Sequence, residues 1–360
     1  AVEDHDIVSA GACADIVFAG SGNDIVYGGA GNDRIFGEAG NDTLMGEDGD
    51  DLIVGGEGHD ILLAGAGNDT LQGDAGHDTL DGGPGNDALD GGDGVDKILA
   101  GDGDDVVSGG AGDDIVLAGP GDDMVSADTG NDIVEGGDGD DRVHGGAGDD
   151  ALADGHGSDT GDAEDGDDHV TSAADTRSDE YDGGRGEDTL DYSSAVLDIF
   201  VDVGQGTVEG ADIGRDFIAS FEKIIGGQGD DHFVGSAGPI SMTGGDGEDT
   251  FEFQRSDDDH QPDLVRKITD FTFGDRIIAA RYEIYYRTDE GEAAAEDVND
   301  LFDDIYLSED SDSRPIRFRF EEVDGGDCTF VEVHDRGDSE DYYSIQLSGR
   351  HDLQFTVVVS

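Results

Sequence analysis

The residues of this sequence that could do chemistry are aspartates at a fixed spacing. From residue 1 to 171 a nine-residue unit repeats nineteen times without insertion or deletion, and its sixth place is always aspartate. That column reads Asp6, Asp15, Asp24, Asp33, Asp42, Asp51, Asp60, Asp69, Asp78, Asp87, Asp96, Asp105, Asp114, Asp123, Asp132, Asp141, Asp150, Asp159 and Asp168. The eighth place is Val, Ile or Leu in eighteen units, failing at Gly161, and the fourth is Gly in seventeen, failing at Asp4 and Cys13. Carboxylates serve either as general acids and bases or as oxygen ligands for a hard cation. The catalytic reading finds no companions: the sequence contains neither H-E-x-x-H nor G-x-S-x-G, and no Cys/His cluster of zinc-binding type. Its ten histidines are scattered over several repeat places, with His59 and His77 at five, His144 at nine and His156 at three. No enzyme activity is expected, and the aspartates are read as parts of a turn.

The elements that must position them follow from the rest of the unit. Written as Gly28-Gly29-Ala30-Gly31-Asn32-Asp33-Arg34-Ile35-Phe36, it recurs as Gly55 to Leu63, Gly82 to Asp90, Gly109 to Leu117 and Gly136 to His144. Glycines at places one, two and four allow positive φ and close backbone approach, which a tight turn repeated in register requires. This pattern resembles the RTX family of secreted calcium-binding proteins, whose unit is G-G-x-G-x-D-x-U-x.

The resemblance implies an all-β fold, a parallel β-roll in which six residues turn, three form a strand, and two units complete one coil. Asp24, Asp42, Asp60, Asp78, Asp96, Asp114, Asp132 and Asp150 then line one edge. Asp33, Asp51, Asp69, Asp87, Asp105, Asp123 and Asp141 line the other. Carboxylates stacked this closely repel one another unless neutralised. Ca²⁺, which takes 6 to 8 oxygen ligands of mixed carboxylate and carbonyl type, suits the task. In the family each ion is held by such aspartates from neighbouring turns together with loop carbonyls, so multiple Ca²⁺ ions are expected. One buried aliphatic per nine residues is too little to order a glycine-rich chain, so metal binding is expected to be coupled to folding. Because each coil touches only its neighbours, folding should be cooperative in calcium.

The charge agrees. The chain holds 18 Lys and Arg against 91 Asp and Glu, a net of −73. Residues 1–171 contain 44 acids and three bases, Arg34, Lys97 and Arg142. Such an excess argues against nucleic acid or an anionic membrane as a charge-driven partner. No run is long and apolar enough for a transmembrane helix, and the N-terminus shows neither the basic region nor the apolar core of a signal peptide. Ala1 already lies in repeat register, so the chain reads as the C-terminal part of something longer. Two cysteines, Cys13 and Cys328, imply no disulfide framework.

Four regions are expected along the chain: a β-roll over 1–171, a degenerate repeat or linker over 172–182, a second short roll over 183–278, and a small β-rich C-terminal cap over 279–360. In the first roll, places seven and nine face outward. Up to residue 63 they are often apolar, as at Ile25, Tyr27, Met45, Ile61 and Leu63 on one sheet and Ile16, Phe18, Phe36, Leu52 and Val54 on the other. These faces are read as contacts for an upstream domain or for self-association. The motif returns at Gly183 to Asp191, Gly226 to Val234 and Gly244 to Glu252, which adds Asp188, Asp231 and Asp249 to the expected ligands. Between the last two, Ile240 stands where aspartate belongs.

Residues 190–227 resemble a spacer common in RTX proteins, looped out or forming an irregular coil. Residues 263–278 resemble the segment after the roll in serralysin-type C-terminal regions. The spacing of Val298, Leu301, Phe302 and Ile305 predicts a helix over 292–307. Strands are expected at 317–321, 329–333, 343–347 and 353–359. The tail Phe355 to Ser360 resembles family type I secretion signals, which makes a type I secretion exporter an expected partner and the cell exterior or surface the expected location. Three functional readings follow: a calcium-dependent folding module of a secreted protein, a surface-layer or adhesin segment, and the C-terminal part of a secreted enzyme or toxin.

Overall fold

A computed structural model describes residues 5–235, 238–253, 265–272, 274–279, 282–286, 316–323, 326–334, 342–348 and 353–357. The chain divides into two compact units: Ala1–Asp191 with Asp216–Phe221, and Tyr192–Arg215 with Glu222–Ser360. No helix occurs among the described residues, and none is therefore long and apolar enough to cross a membrane. The expected helix over 292–307 lies outside the described residues.

The first unit is a parallel β-solenoid. Ile7–Gly11, Ile25–Ala30, Thr43–Asp48 and Ile61–Ala66 are successive rungs of one sheet. Ile16–Ser21, Arg34–Ala39, Leu52–Glu57 and Thr70–Ala75 are rungs of the other. Each pairing joins residues 18 apart, such as Val26 with Leu44 and Ile35 with Ile53, so two nine-residue units make one coil. The strands are six residues long rather than the three implied by the family unit. The reason is that backbone pairing continues past the strand: the N–H of Gly31 at place four still donates to the carbonyl of Asp48 at place three of the next coil.

Side-chain alternation then sorts the unit. Place eight points inward and forms a single-file interior stack, in which Val26, Ile35, Leu44, Ile53, Leu62, Leu71, Leu80, Ile98 and Val116 are fully buried. Place one also faces inward and is small, with Ala64, Ala100 and Ala118 fully buried. Places seven and nine face out, and the apolar ones near the N-terminus are solvated: Ile16 is 65% and Phe18 64% exposed. The rings of Phe18 and Phe36, one coil apart, stack with centroids 4.9 Å apart. Place two takes the left-handed backbone conformation whatever residue occupies it. Gly29 has φ 112° there, while Glu38, Glu47, Asp74, Asp128 and Glu164 have φ between 68° and 79°.

The stretch from 172 to 182 carries the sheet onward despite its two extra residues. Glu180–Asp182 pairs in parallel with Thr160–Asp165, and Phe217–Ala219 pairs with Glu180–Asp182 in turn. The carboxylate of Asp175 accepts the N–H of Gly157 at 2.8 Å, the role that a place-three backbone carbonyl plays in the regular coils, as that of His156 does for Gly139.

In the second unit, Ile199–Asp202 and Thr207–Gly210 form an antiparallel hairpin within the spacer. Ile199–Asp202 also pairs in parallel with His232–Gly235, followed by Thr250–Phe253 and Arg276–Ala279. Lys223–Ile225, Ile240–Thr243, Val265–Ile268 and Tyr342–Ser348 form a second parallel series. Ile240, standing at the aspartate place, is buried with the core. In the other series the buried rings of Phe233 and Phe251 stack with centroids 5.3 Å apart. The C-terminal strands are antiparallel: Ile316–Val323 with Gly326–His334, that strand with Tyr342–Ser348, and Tyr282–Tyr286 with Leu353–Val357.

Candidate metal centre

The aspartate column becomes two continuous ladders. The backbone N–H of each aspartate donates to Oδ1 of the aspartate one coil later, starting with Asp6 to Asp24 and Asp15 to Asp33 at 2.7 Å. One ladder runs Asp24, Asp42, Asp60, Asp78, Asp96, Asp114, Asp132, Asp150, Asp168 and Asp188. The other runs Asp33, Asp51, Asp69, Asp87, Asp105, Asp123, Asp141 and Asp159. It then reaches Asp179 at 2.8 Å and Asp216 at 3.1 Å. Aspartate suits the place because its short side chain brings a carboxylate back to the N–H of the preceding coil while leaving a second oxygen over.

That second oxygen is the chemical signal. From Asp24 to Asp168, Oδ2 of every ladder aspartate is buried and meets no hydrogen-bond donor. The residues themselves are almost wholly buried, with Asp105 and Asp114 each 1% exposed. Such an acceptor out of water and without a donor is costly, and it calls for a positive charge. Burial pushes the carboxyls of Asp60, Asp69 and Asp141 up to about 6, and those of Asp78, Asp105, Asp114 and Asp150 up to about 7. The N–H from the preceding coil pulls each value back, and neighbouring aspartates raise it again. A cation beside these oxygens would reverse the balance, because it favours the ionised form.

The glycines leave the required space. A Cβ at the first-place Gly46 would lie 2.2 Å from Asp51 Oδ2, and one at the fourth-place Gly58 would lie 1.9 Å from the carbonyl oxygen of Gly40. Carboxylate and carbonyl oxygens thus converge on turns lined by bare Cα atoms. This all-oxygen donor set fits a hard divalent ion, and the sequence-predicted aspartates of the first roll would hold it. When bound, the ion supplies charge neutralisation and cross-links adjacent coils.

The second unit is different. Asp231 Oδ1 accepts the N–H of Ile199 and its Oδ2 accepts the N–H of Gly227, so both oxygens have protein donors. Asp249 Oδ1 accepts the N–H of Asp231, and Asp275 Oδ1 accepts that of Asp249. Sequence reading did not assign Asp179, Asp216 or Asp275 to the column, because they come 20, 37 and 26 residues after their predecessors instead of 18.

The fifth place was not read as functional either, yet it forms ladders of its own that run the opposite way. Oδ1 of Asn41 accepts the N–H of His59, and Nδ1 of His59 accepts that of His77, one coil later each time. The available signal was composition: Asn, Asp or His, each with an acceptor two bonds beyond Cβ, fills nearly every fifth place.

The nonapeptide pattern matches the family model described as the RTX calcium-binding nonapeptide repeat over residues 3–170 and 225–258, more than half of the chain. No curated protein matches it. A run of turns with buried acceptor oxygens on both edges is what such repeats require, and the chain belongs to the family of RTX calcium-binding nonapeptide-repeat proteins, with calcium as its ion and the β-roll as its fold.

Proposed function

We propose that the chain is a calcium-triggered folding module of a larger secreted protein, unfolded at cytosolic calcium, exported through a type I exporter, and folded outside. The observation that carries this reading is the row of buried, donorless Oδ2 atoms on both edges of the first roll. A fold that buries so many ionisable carboxyls is disfavoured without counter-charge and favoured with it, so the calcium level acts as the switch. Affinity belongs to the extracellular class, about 10⁻⁴ to 10⁻³ M. Far-UV circular dichroism of the chain in excess chelator, then in millimolar calcium, tests it. A disordered spectrum that converts cooperatively to sheet is expected, and an intact sheet spectrum in chelator would overturn the reading.

A second reading, a surface-layer or adhesin segment, is favoured by the solvated apolar face around Ile16, Phe18 and Phe36. Contiguous exposed apolar residues are commonly contact surfaces. Light scattering in calcium separates the two: a monomer at high concentration supports the folding module, and a concentration-dependent assembly supports the segment.

A further inference from the structure

One coil of the first roll departs from the repeat in three correlated ways. At place one, every residue of the nineteen units is Gly or Ala except Asp154. At place eight, Gly161 is the only residue that is not Val, Ile or Leu. One coil further on, Tyr181 occupies the inward place in register with Gly161. The three fit together. A Cβ on Gly161 would lie 3.2 Å from Tyr181 Cδ1, so the missing aliphatic makes room for the ring. Tyr181 is 1% exposed, and its hydroxyl donates to Oδ2 of Asp154 from the opposite sheet. Oδ1 of Asp154 accepts the N–H groups of Gly155 at 2.8 Å and Ala173 at 3.1 Å.

Asp154 therefore adds a third carboxylate to two from the ladder. One oxygen each from Asp154, Asp159 and Asp179 lie within 4.8 Å of one another, and all three residues are buried. Asp159 Oδ2 is fully buried without a donor. In other units the same oxygen lies beside place one: a Cβ on Gly46 would lie 2.2 Å from Asp51 Oδ2, and one on Gly145 would lie 2.7 Å from Asp150 Oδ2. Asp154 is the residue at that place here. Burial and the neighbouring aspartates push Asp159 up to about 8.

Building on the calcium reading of the ladders, we infer that Asp154, Asp159 and Asp179 form a tighter cation site within the ladder, in which Asp154, held by Tyr181, adds a third buried negative charge beside the two ladder carboxylates. Its higher negative charge binds divalent ions more tightly than the two-aspartate turns and favours trivalent ions further, since charge count sets affinity in such sites. It is the first site to fill as calcium rises, at the C-terminal side of the clean repeats.

Tyr181 makes the inference testable, because a tyrosine beside a bound terbium(III) ion sensitises its luminescence. The calcium-free full chain is titrated with terbium under tyrosine excitation, with the sheet signal in saturating calcium recorded for each variant. The parent should show an early luminescent phase. Asp154→Asn should move that phase to about tenfold higher terbium, and Tyr181→Phe should remove most of its emission while later phases persist. Asp154→Gly, which restores the residue type used at this place elsewhere, should fold in calcium and show the same shift. An early phase displaced by less than about twofold in folded Asp154→Asn or Asp154→Gly protein would mean that Asp154 serves only its hydrogen bonds, and the inference fails. A parent that binds neither terbium nor calcium would overturn the calcium reading itself, which is a different result.

Discussion

Asp105 separates the two jobs that a ladder aspartate does. Its Oδ1 accepts the N–H of Asp87 at 2.7 Å, its own N–H donates to Asp123, and its Oδ2 meets no donor. Asp105→Ala removes both oxygens: the buried N–H of Asp87 loses its acceptor, at about 1–3 kcal/mol, and the ion loses a ligand. Asp105→Asn returns an acceptor to the Asp87 N–H and exchanges only the charged oxygen for an amide. In saturating calcium both variants should be less stable than the parent, and alanine less stable than asparagine by about 1–3 kcal/mol. Without metal the order changes. Burial holds the parent's carboxyl up at about 7, so at pH 8 it is a buried charge, and asparagine removes that charge while keeping the ladder bond. The metal-free asparagine variant should then hold at least as much sheet as the parent. Denaturant unfolding followed by circular dichroism in calcium gives the first comparison, and far-UV spectra of calcium-free protein at pH 8 give the second. Variants equal within about 0.5 kcal/mol in calcium would refute the ladder's contribution. Parent-like stability of both in calcium would refute Asp105 as a ligand.

Gly76→Ala should be worse than Gly73→Ala: a Cβ at Gly76, with φ 153°, would lie 1.4 Å from the Gly58 carbonyl oxygen, whereas at Gly73 it would lie 2.4 Å from the Gly91 carbonyl oxygen and 2.6 Å from Asp78 Oδ2, at a place where Ala64 and Ala100 show that the turn can give way to a methyl group. Chemical denaturation in calcium should show a loss above about 3 kcal/mol for the first and below about 1.5 kcal/mol for the second. The metal-free chain should respond to acid in the opposite sense from the calcium-bound one. The ladder carboxyls, at 3.8 when unfolded, are raised to about 6 to 7 in the metal-free fold. The protonated roll is therefore favoured at low pH, and that advantage is lost as pH rises through 6 to 7. Acidifying calcium-free protein from pH 8 to 5 should increase its sheet signal. In calcium the same change should raise the calcium midpoint, because protons compete for the ligands; a midpoint unmoved by pH would contradict carboxylate ligation.

Much of this was legible before any coordinates. The resemblance carried by a column without gaps implied two units to a coil, and so placed Asp24 beside Asp42 and Asp33 beside Asp51, as the pairings show. The inward aliphatic at place eight gave the core by simple alternation. Three things were not legible, for one reason: each depends on partners outside a single unit. The six-residue strands come from backbone bonds to the next coil. The continuation of the ladder through Asp179 and Asp216 depends on pairing that absorbs insertions, and no spacing rule reports it. Asp154, Gly161 and Tyr181 each depart from the motif with no visible link in the sequence, and only the fold shows them to be complementary.

Because every strand pairing within residues 7–171 joins residues 18 apart, this roll is a ruler graduated in eighteens. Excising residues 82–99 would shorten it by one graduation and leave the remaining junctions alike. Excising only nine would transpose the two faces for everything downstream, so that the side carrying Phe18 and Phe36 would continue with residues that belong to the side of Tyr27 and Met45. Length in such a chain can drift by whole coils with little penalty, while half-coil changes reassign which surface meets the outside world.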